Sequence, residues 1–171
     1  KLDMSSGSNI STNNMYITTD MNLNNQGKVT ATGIVHTNNV TLHTSLTKVT
    51  AYKLIVYNNF TLLNDGAVSS SSDILVGGNV TTHTSNPSIE ATGGDLFVQG
   101  NFTSYNKVTV KAGGVIAVGG DFNINPWSGV ASVVQTGGGT TSLINHSGGG
   151  DGGGNGTGGG SAAWSPTRVV R

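Results

Sequence analysis

The chain has no cysteine, only three prolines among its 171 residues, and few charges. Lack of cysteine rules out a disulfide framework and Cys-based zinc sites, and it leaves the compartment open. Charged residues make up 9% of the chain, against about 25% in ordinary globular domains. Eight basic and eight acidic residues cancel. With no basic patch, neither nucleic acid nor an anionic membrane surface is expected as a partner. No apolar run approaches the ~18 residues of a spanning helix, so membrane insertion is not expected either. The chain carries no signal-like segment and no initiating Met. It reads as a mature product or an excised fragment.

Asparagine (19 residues), threonine, serine and 27 glycines supply the polarity instead. A surface of uncharged hydrogen-bonding groups suits a protein outside the cell, so an extracellular or cell-surface location is expected.

The informative feature is a repeat. "TNNVTLHT" at 37–44 returns as "YNNFTLLN" at 57–64, "GGNVTTHT" at 77–84, "QGNFTSYN" at 99–106 and "GGDFNINP" at 119–126. With the origin placed at Asp3, Asp20, Asn39, Asn59, Asn79, Asn101 and Asp121, the spacings are 17, 19, 20, 20, 22 and 20. An apolar residue follows each origin (Met4, Met21, Val40, Phe60, Val80, Phe102, Phe122), and a small polar one comes next. Five residues before each later origin stand Met15, Ile34, Leu54, Ile74, Leu96 and Ile116; three before stand Ile17, His36, Val56, Val76, Val98 and Val118. Alternation rich in β-branched residues predicts strands with one buried face. A third short strand reads "VTA" at 29–31 and 49–51, "IEA" at 89–91 and "VTVKA" at 108–112. Between strands stand Gly-Gly, Asn-Asn, Asn-Gln-Gly and Asn-Asp-Gly, which tolerate left-handed backbone at sharp corners.

Three strands and three corners per ~20 residues describe one coil of a parallel β-solenoid. The expected fold is all-β: a right-handed triangular β-helix of about six to seven coils stacked ~4.7–4.9 Å apart. A β-sandwich would not repeat its column identities unit after unit, and a propeller blade needs about forty residues. The domain reading is a solenoid over 1–145, a Gly-rich segment over 146–161 and a β-prone tail over 162–171. That tail, with Trp164, Arg168, Val169 and Val170, either folds back over the last coil or pairs with a neighbouring molecule.

The run "GGDLFVQGNFTSYNKVTVKAGGVIAVGGDFNI" at 93–124 resembles the repeats of filamentous-haemagglutinin-like adhesins, in which Gly-rich corners alternate with short strands along a right-handed β-helix. The likeness covers residues 20–125, and the motifs of that family's secretion domain are absent. Bactofilin-like polymers and phage tail fibres share the pattern. The resemblance implies an elongated surface scaffold.

Stacking turns sequence phase into distance, so each chemical candidate has an expected position. His43 and His83 share a column with Leu63 between them, ~9.5 Å apart by the strand spacing, too far for one metal. His36 falls in a core column by its phase, and His146 lies in the Gly-rich region. Asp73 and Asp95 fall on adjacent coils beside Lys53. Such a carboxylate pair suits calcium or a retaining glycosidase, and a surface charge ladder is the plainer reading. No nucleophile–base pair or P-loop emerges, so no catalytic residues and no cofactor are assigned, and the chain is read as a non-enzyme. Asn39, Asn59, Asn79 and Asn101 are glycosylation sequons and also the repeat origin. A corner ladder bonded side chain to side chain is the expectation for them. Thr41, Thr61, Thr81 and Thr103 form a column, but its neighbour at His43, Leu63, His83 and Tyr105 breaks the flat lattice an ice-binding face needs.

The expected function is an extracellular structural solenoid: an adhesin segment or self-assembling fibre subunit, associating end to end or through the tail. The alternative is a carbohydrate-binding or carbohydrate-cleaving β-helix, with surface glycans as partners and Tyr52, Tyr57, Tyr105 and Trp127 as stacking platforms.

Overall fold

The structure, a computed structural model, describes residues 1–83 and 86–124, and the backbone of the strands at 132–135 and 142–143. The described residues contain strands and no helix. The first coil comprises Leu2–Met4, Asn9–Thr12 and Met15–Tyr16; the fourth comprises Phe60–Leu62, Ala67–Ser70 and Ile74–Val76. Each coil places one strand in each of three sheets, and every sheet holds seven strands in coil order. All neighbours are parallel: Phe60 pairs with Val40 and Val80, Val68 with Val49 and Ile89, Ile74 with Leu54 and Leu96. This is a parallel β-solenoid, as the repeat predicts.

Short strands of the form buried–outward–buried explain how ~20 residues suffice for a coil. Met21, Val40, Phe60, Val80, Phe102 and Phe122 run up the inside of the first sheet, Val29, Val49, Val68, Ile89 and Val110 up the second, and Val35, Leu54, Ile74, Leu96 and Ile116 up the third. Like lies on like: the Phe102 and Phe122 rings stand 5.0 Å apart. Burying each such side chain contributes about 1.5–3 kcal/mol.

Among the described residues five buried hydroxyl side chains interrupt the aliphatic interior, and each finds a hydrogen-bond partner. Thr37 donates to the carbonyls of Thr19 and Asn39, Thr47 to Thr44, and Ser70 to Tyr52. Thr82 donates to Ser104 Oγ at 2.7 Å, and Ser104 donates onward to the Asn106 carbonyl. Among the described residues no buried side-chain nitrogen or oxygen lacks a partner.

The phase reading needs two corrections. In the first coil Leu2, not Met4, pairs with Met21, while Asp3 pairs with Asn22 and Met4 with Leu23. The origin there is Lys1, which changes the first spacing from 17 to 19, since 20 − 1 = 19. In the second coil Val35 and Thr37 hold the core columns, while Ile34 and His36 face outward. The cause is corner length. Asn38 and Asn39 separate Thr37 from Val40, whereas Tyr57, Asn58 and Asn59 separate the equivalent Val56 from Phe60. Side chains alternate faces, so a shift of one residue turns a whole strand over.

A third correction concerns the corners. Among the described residues positive φ occurs at Ser6, Gly7, Asn25, Gln26 and Leu46 only. All lie between the first and second sheets of the first three coils. The Gly-Gly corners do not use left-handed backbone; they are glycine for lack of room, as the next section shows.

Candidate interaction surface

The corner entering the first sheet carries a continuous ladder. Asn39 Oδ1 accepts the backbone N–H of Asn59 at 3.0 Å, Asn59 Oδ1 that of Asn79 at 2.9 Å, and Asn79 Oδ1 that of Asn101 at 2.8 Å. Asn101 Oδ1 then accepts the N–H of Asp121 at 2.9 Å. The ladder runs side chain to backbone rather than the expected side chain to side chain. An exposed corner N–H has no sheet partner, and the carboxamide oxygen one coil below supplies it. Only at the start do side chains pair directly, Asn39 Nδ2 with Asp20 Oδ1 at 2.7 Å.

This ladder explains the glycines before Asn79, Asn101 and Asp121. A Cβ on Gly78 would stand 2.7 Å from Asn59 Oδ1 and 2.6 Å from the Asn58 carbonyl, and one on Gly100 or Gly120 would collide with the Oδ1 of Asn79 or Asn101. The Asn side chain of one coil and the missing Cβ of the next are a single packing unit.

The corner entering the third sheet repeats the device with one amide and two acids. Asn14 Oδ1 accepts from Ile34 N–H at 2.8 Å, Asp73 Oδ1 from Asp95 N–H at 3.1 Å, and Asp95 Oδ1 from Val115 N–H at 2.7 Å. Asp73 and Asp95 are thus adjacent, as the phase predicts, and Lys53 Nζ meets Asp73 Oδ2 at 2.8 Å. Burial opposes the charged Asp73 carboxylate, but the Lys53 ammonium and the Asp95 N–H outweigh it, leaving the group below its ordinary 3.8. Among the described residues no group of three or more His, Cys, Asp or Glu side chains could hold a metal. What the two carboxylates do is cap the next coil.

The histidines fall into two settings. His43 and His83 stand in one column with Leu63, whose backbone N–H groups bond in turn to Leu23, Leu62 and Leu42. His83 stacks on Tyr105 at 5.0 Å. His36, turned outward by the short corner, lies between Tyr16 (4.8 Å, stacked) and Tyr57 (6.0 Å), with Nδ1 3.0 Å from the Tyr57 hydroxyl. Phase alone missed this trio. The signal was the spacing of an aromatic at 16, an imidazole at 36 and an aromatic at 57.

The three outer faces differ in chemistry. The second sheet presents Lys28 and Lys48 beside Thr30, Thr50, Ser69, Glu90 and Lys111. The third presents Ile55, Leu75 and Phe97 beside the Lys53–Asp73–Asp95 row. The first presents the corner Asn row and, two residues on, Thr41, Thr61, Thr81 and Thr103. A shallow trough there is lined by Asp20, Asn22, Asn39, Thr41, Asn59 and Thr61.

The fold and its ladders define the class: a parallel β-solenoid repeat protein. Compared with known protein families, curated proteins and solved structures, the chain gives no match. Trp127, His146, the Gly-rich segment and the tail residues Trp164, Arg168, Val169 and Val170 lie outside the described residues.

Proposed function

We propose that the protein is a structural element of an extracellular surface, a stiff β-solenoid working as an adhesin segment or as the subunit of a fibre. The supporting observation is the stacking itself. Every described coil hydrogen-bonds to the next through three sheets, and side-chain oxygens also bridge two of the corners. Such a column resists bending because bending must break bonds on one side of every coil at once.

Among the described residues, the strands of the first coil pair on one side only. Leu2, Ile10 and Met15 are partly buried against the core there. An edge of this kind is a template for further strands: another coil or another copy of the chain. The tail, a strand-former beyond a Gly-rich tether in the sequence, is the natural donor for such pairing.

The test is deletion of 162–171, with the full and shortened chains compared by analytical ultracentrifugation. This reading expects concentration-dependent oligomers from the full chain and folded monomers from the shortened one. Equal assembly of the two would remove the tail from the account.

A further inference from the structure

We propose that the outer face of the first sheet is a binding track for an extended, uncharged polysaccharide lying along the solenoid axis. The claim is independent of fibre formation, because it concerns a side of the column and not its ends.

The first support is an array of unused hydrogen-bonding groups held in place. Asn59, Asn79 and Asn101 each commit Oδ1 to the next coil. That bond fixes the carboxamide plane and leaves Nδ2 without a partner among the described residues, on residues that are exposed. Two residues along, the hydroxyls of Thr61, Thr81 and Thr103 stack in register on the same face. Each coil therefore offers one amide donor and one hydroxyl, and the pair recurs every ~4.7–4.9 Å. A donor fixed before binding loses little entropy on binding.

The second support is shape. At the lower end of the Asn and Thr rows, Asn39, Thr41, Asn59 and Thr61, with Asp20 and Asn22, line a shallow trough between them. Beyond the Thr row the Leu63, His83 and Tyr105 column forms a partly apolar flank, with Tyr105 half exposed and its ring stacked on His83. Hydroxyl-matching groups beside an apolar flank suit a pyranose, which has polar edges and C–H faces.

Charge and period narrow the partner. From Asn39 to Thr103 both rows are uncharged, while Asp3, Asp20 and Asp121 stand at their ends. A sulfated, phosphorylated or uronic polymer would meet Asp20 and Asp121 near the ends of the rows, and Lys1 at the lower end is already paired with Asp3 at 3.2 Å. The coil spacing of ~4.7–4.9 Å is close to the advance of one sugar in an extended β-linked chain, so neighbouring sugars each lie near an Asn–Thr pair. Each contact is weak, and the array gains through number. Short sugars should bind poorly and longer ones progressively better.

The probes are cello-, chito- and manno-oligosaccharides of two to six sugars, with oligogalacturonate as the charged comparison, titrated into the full chain at a concentration where it is monomeric. The expected result is binding to at least one neutral series, tightening with length. Replacing Thr61, Thr81 and Thr103 together by Val keeps the β-branched shape and removes the hydroxyls. It should weaken binding roughly tenfold or more with no loss of folded β signal in circular dichroism. Asn79→Asp is the second variant: it keeps the Oδ1 that caps Asn101, removes the Nδ2 donor, and should also weaken binding if the triple variant does not fold. No binding to any neutral series, equal binding by both variants, preference for oligogalacturonate, or inhibition of ice recrystallisation without sugar binding would each overturn the proposal.

Discussion

Asn79 Oδ1 accepts the backbone N–H of Asn101 at 2.8 Å, and Gly100, one residue earlier in that upper coil, passes over the same oxygen. The hydrogen bond and the close approach depend on each other. Asn79→Ala should destabilise by about 0.5–1.5 kcal/mol through loss of the cap. Gly100→Ala should cost more, about 1–3 kcal/mol, because the new methyl meets Oδ1 and, at 2.8 Å, the Gly78 carbonyl. In the double variant the clash with Oδ1 is gone, so the two costs should add to less than their sum. Urea denaturation of the four proteins measures the coupling; strict additivity would mean that the two residues do not act as a unit.

The buried hydroxyl pair gives an asymmetric expectation. Thr82 donates to Ser104, and Ser104 donates to a carbonyl. Thr82→Val removes a donor and leaves the Ser104 bond to Asn106 intact, so it should be nearly neutral. Ser104→Ala strands both the Thr82 hydroxyl and the Asn106 carbonyl and should cost about 1–3 kcal/mol. Thermal melts of the two variants would show the order, and the reverse order would contradict the direction of the chain.

His36 should make stability depend on pH near neutrality. Burial, and then the Lys53 charge, holds its folded pKa below the ordinary 6.5. The unfolded chain therefore binds the proton more readily. Stability is greatest above 6.5 and declines as pH falls from there through the folded value. His36→Gln should flatten that part of the melting-temperature profile. An unchanged slope would place the titration elsewhere.

Asp73 acts at lower pH. Its folded pKa lies below 3.8, so its contribution is complete above that value and is lost as pH falls through the folded one. Asp73→Asn keeps the Oδ1 cap on Asp95 and gives up the Lys53 pair, for about 0–1 kcal/mol; Asp73→Ala gives up both and should cost more. Acid titration followed by circular dichroism distinguishes them, and equal losses would mean that the cap contributes nothing.

How far the sequence could be read follows from the geometry. Columns such as Val40–Phe60–Val80–Phe102 were legible because a coil of nearly constant length turns sequence period directly into stacking. The second coil was misread at Ile34 and His36 because one residue fewer in a corner reverses the faces, and both "IVH" phases look equally apolar. The glycine corners were visible, but their cause was not: nothing in "GGN" shows that the crowding atom belongs to an Asn some twenty residues earlier. The Asp73–Asp95 neighbours were placed correctly by phase, whereas their capping of Asp95 and Val115 required coordinates. The Ala67–Ser70 strand lacks the Val-Thr-Ala signature of its neighbours and is recognisable only by pairing with Lys48–Ala51 and Ser88–Ala91.

The central claim is that this chain is a stacking element whose coils continue, end to end, beyond one molecule. Electron microscopy of the purified full chain over a concentration series, joined to fibre diffraction of the densest sample, tests it directly. The expected result is unbranched filaments that lengthen with concentration and give a meridional reflection at ~4.7–4.9 Å. Discrete particles of one chain at every concentration, with no such reflection, would contradict it.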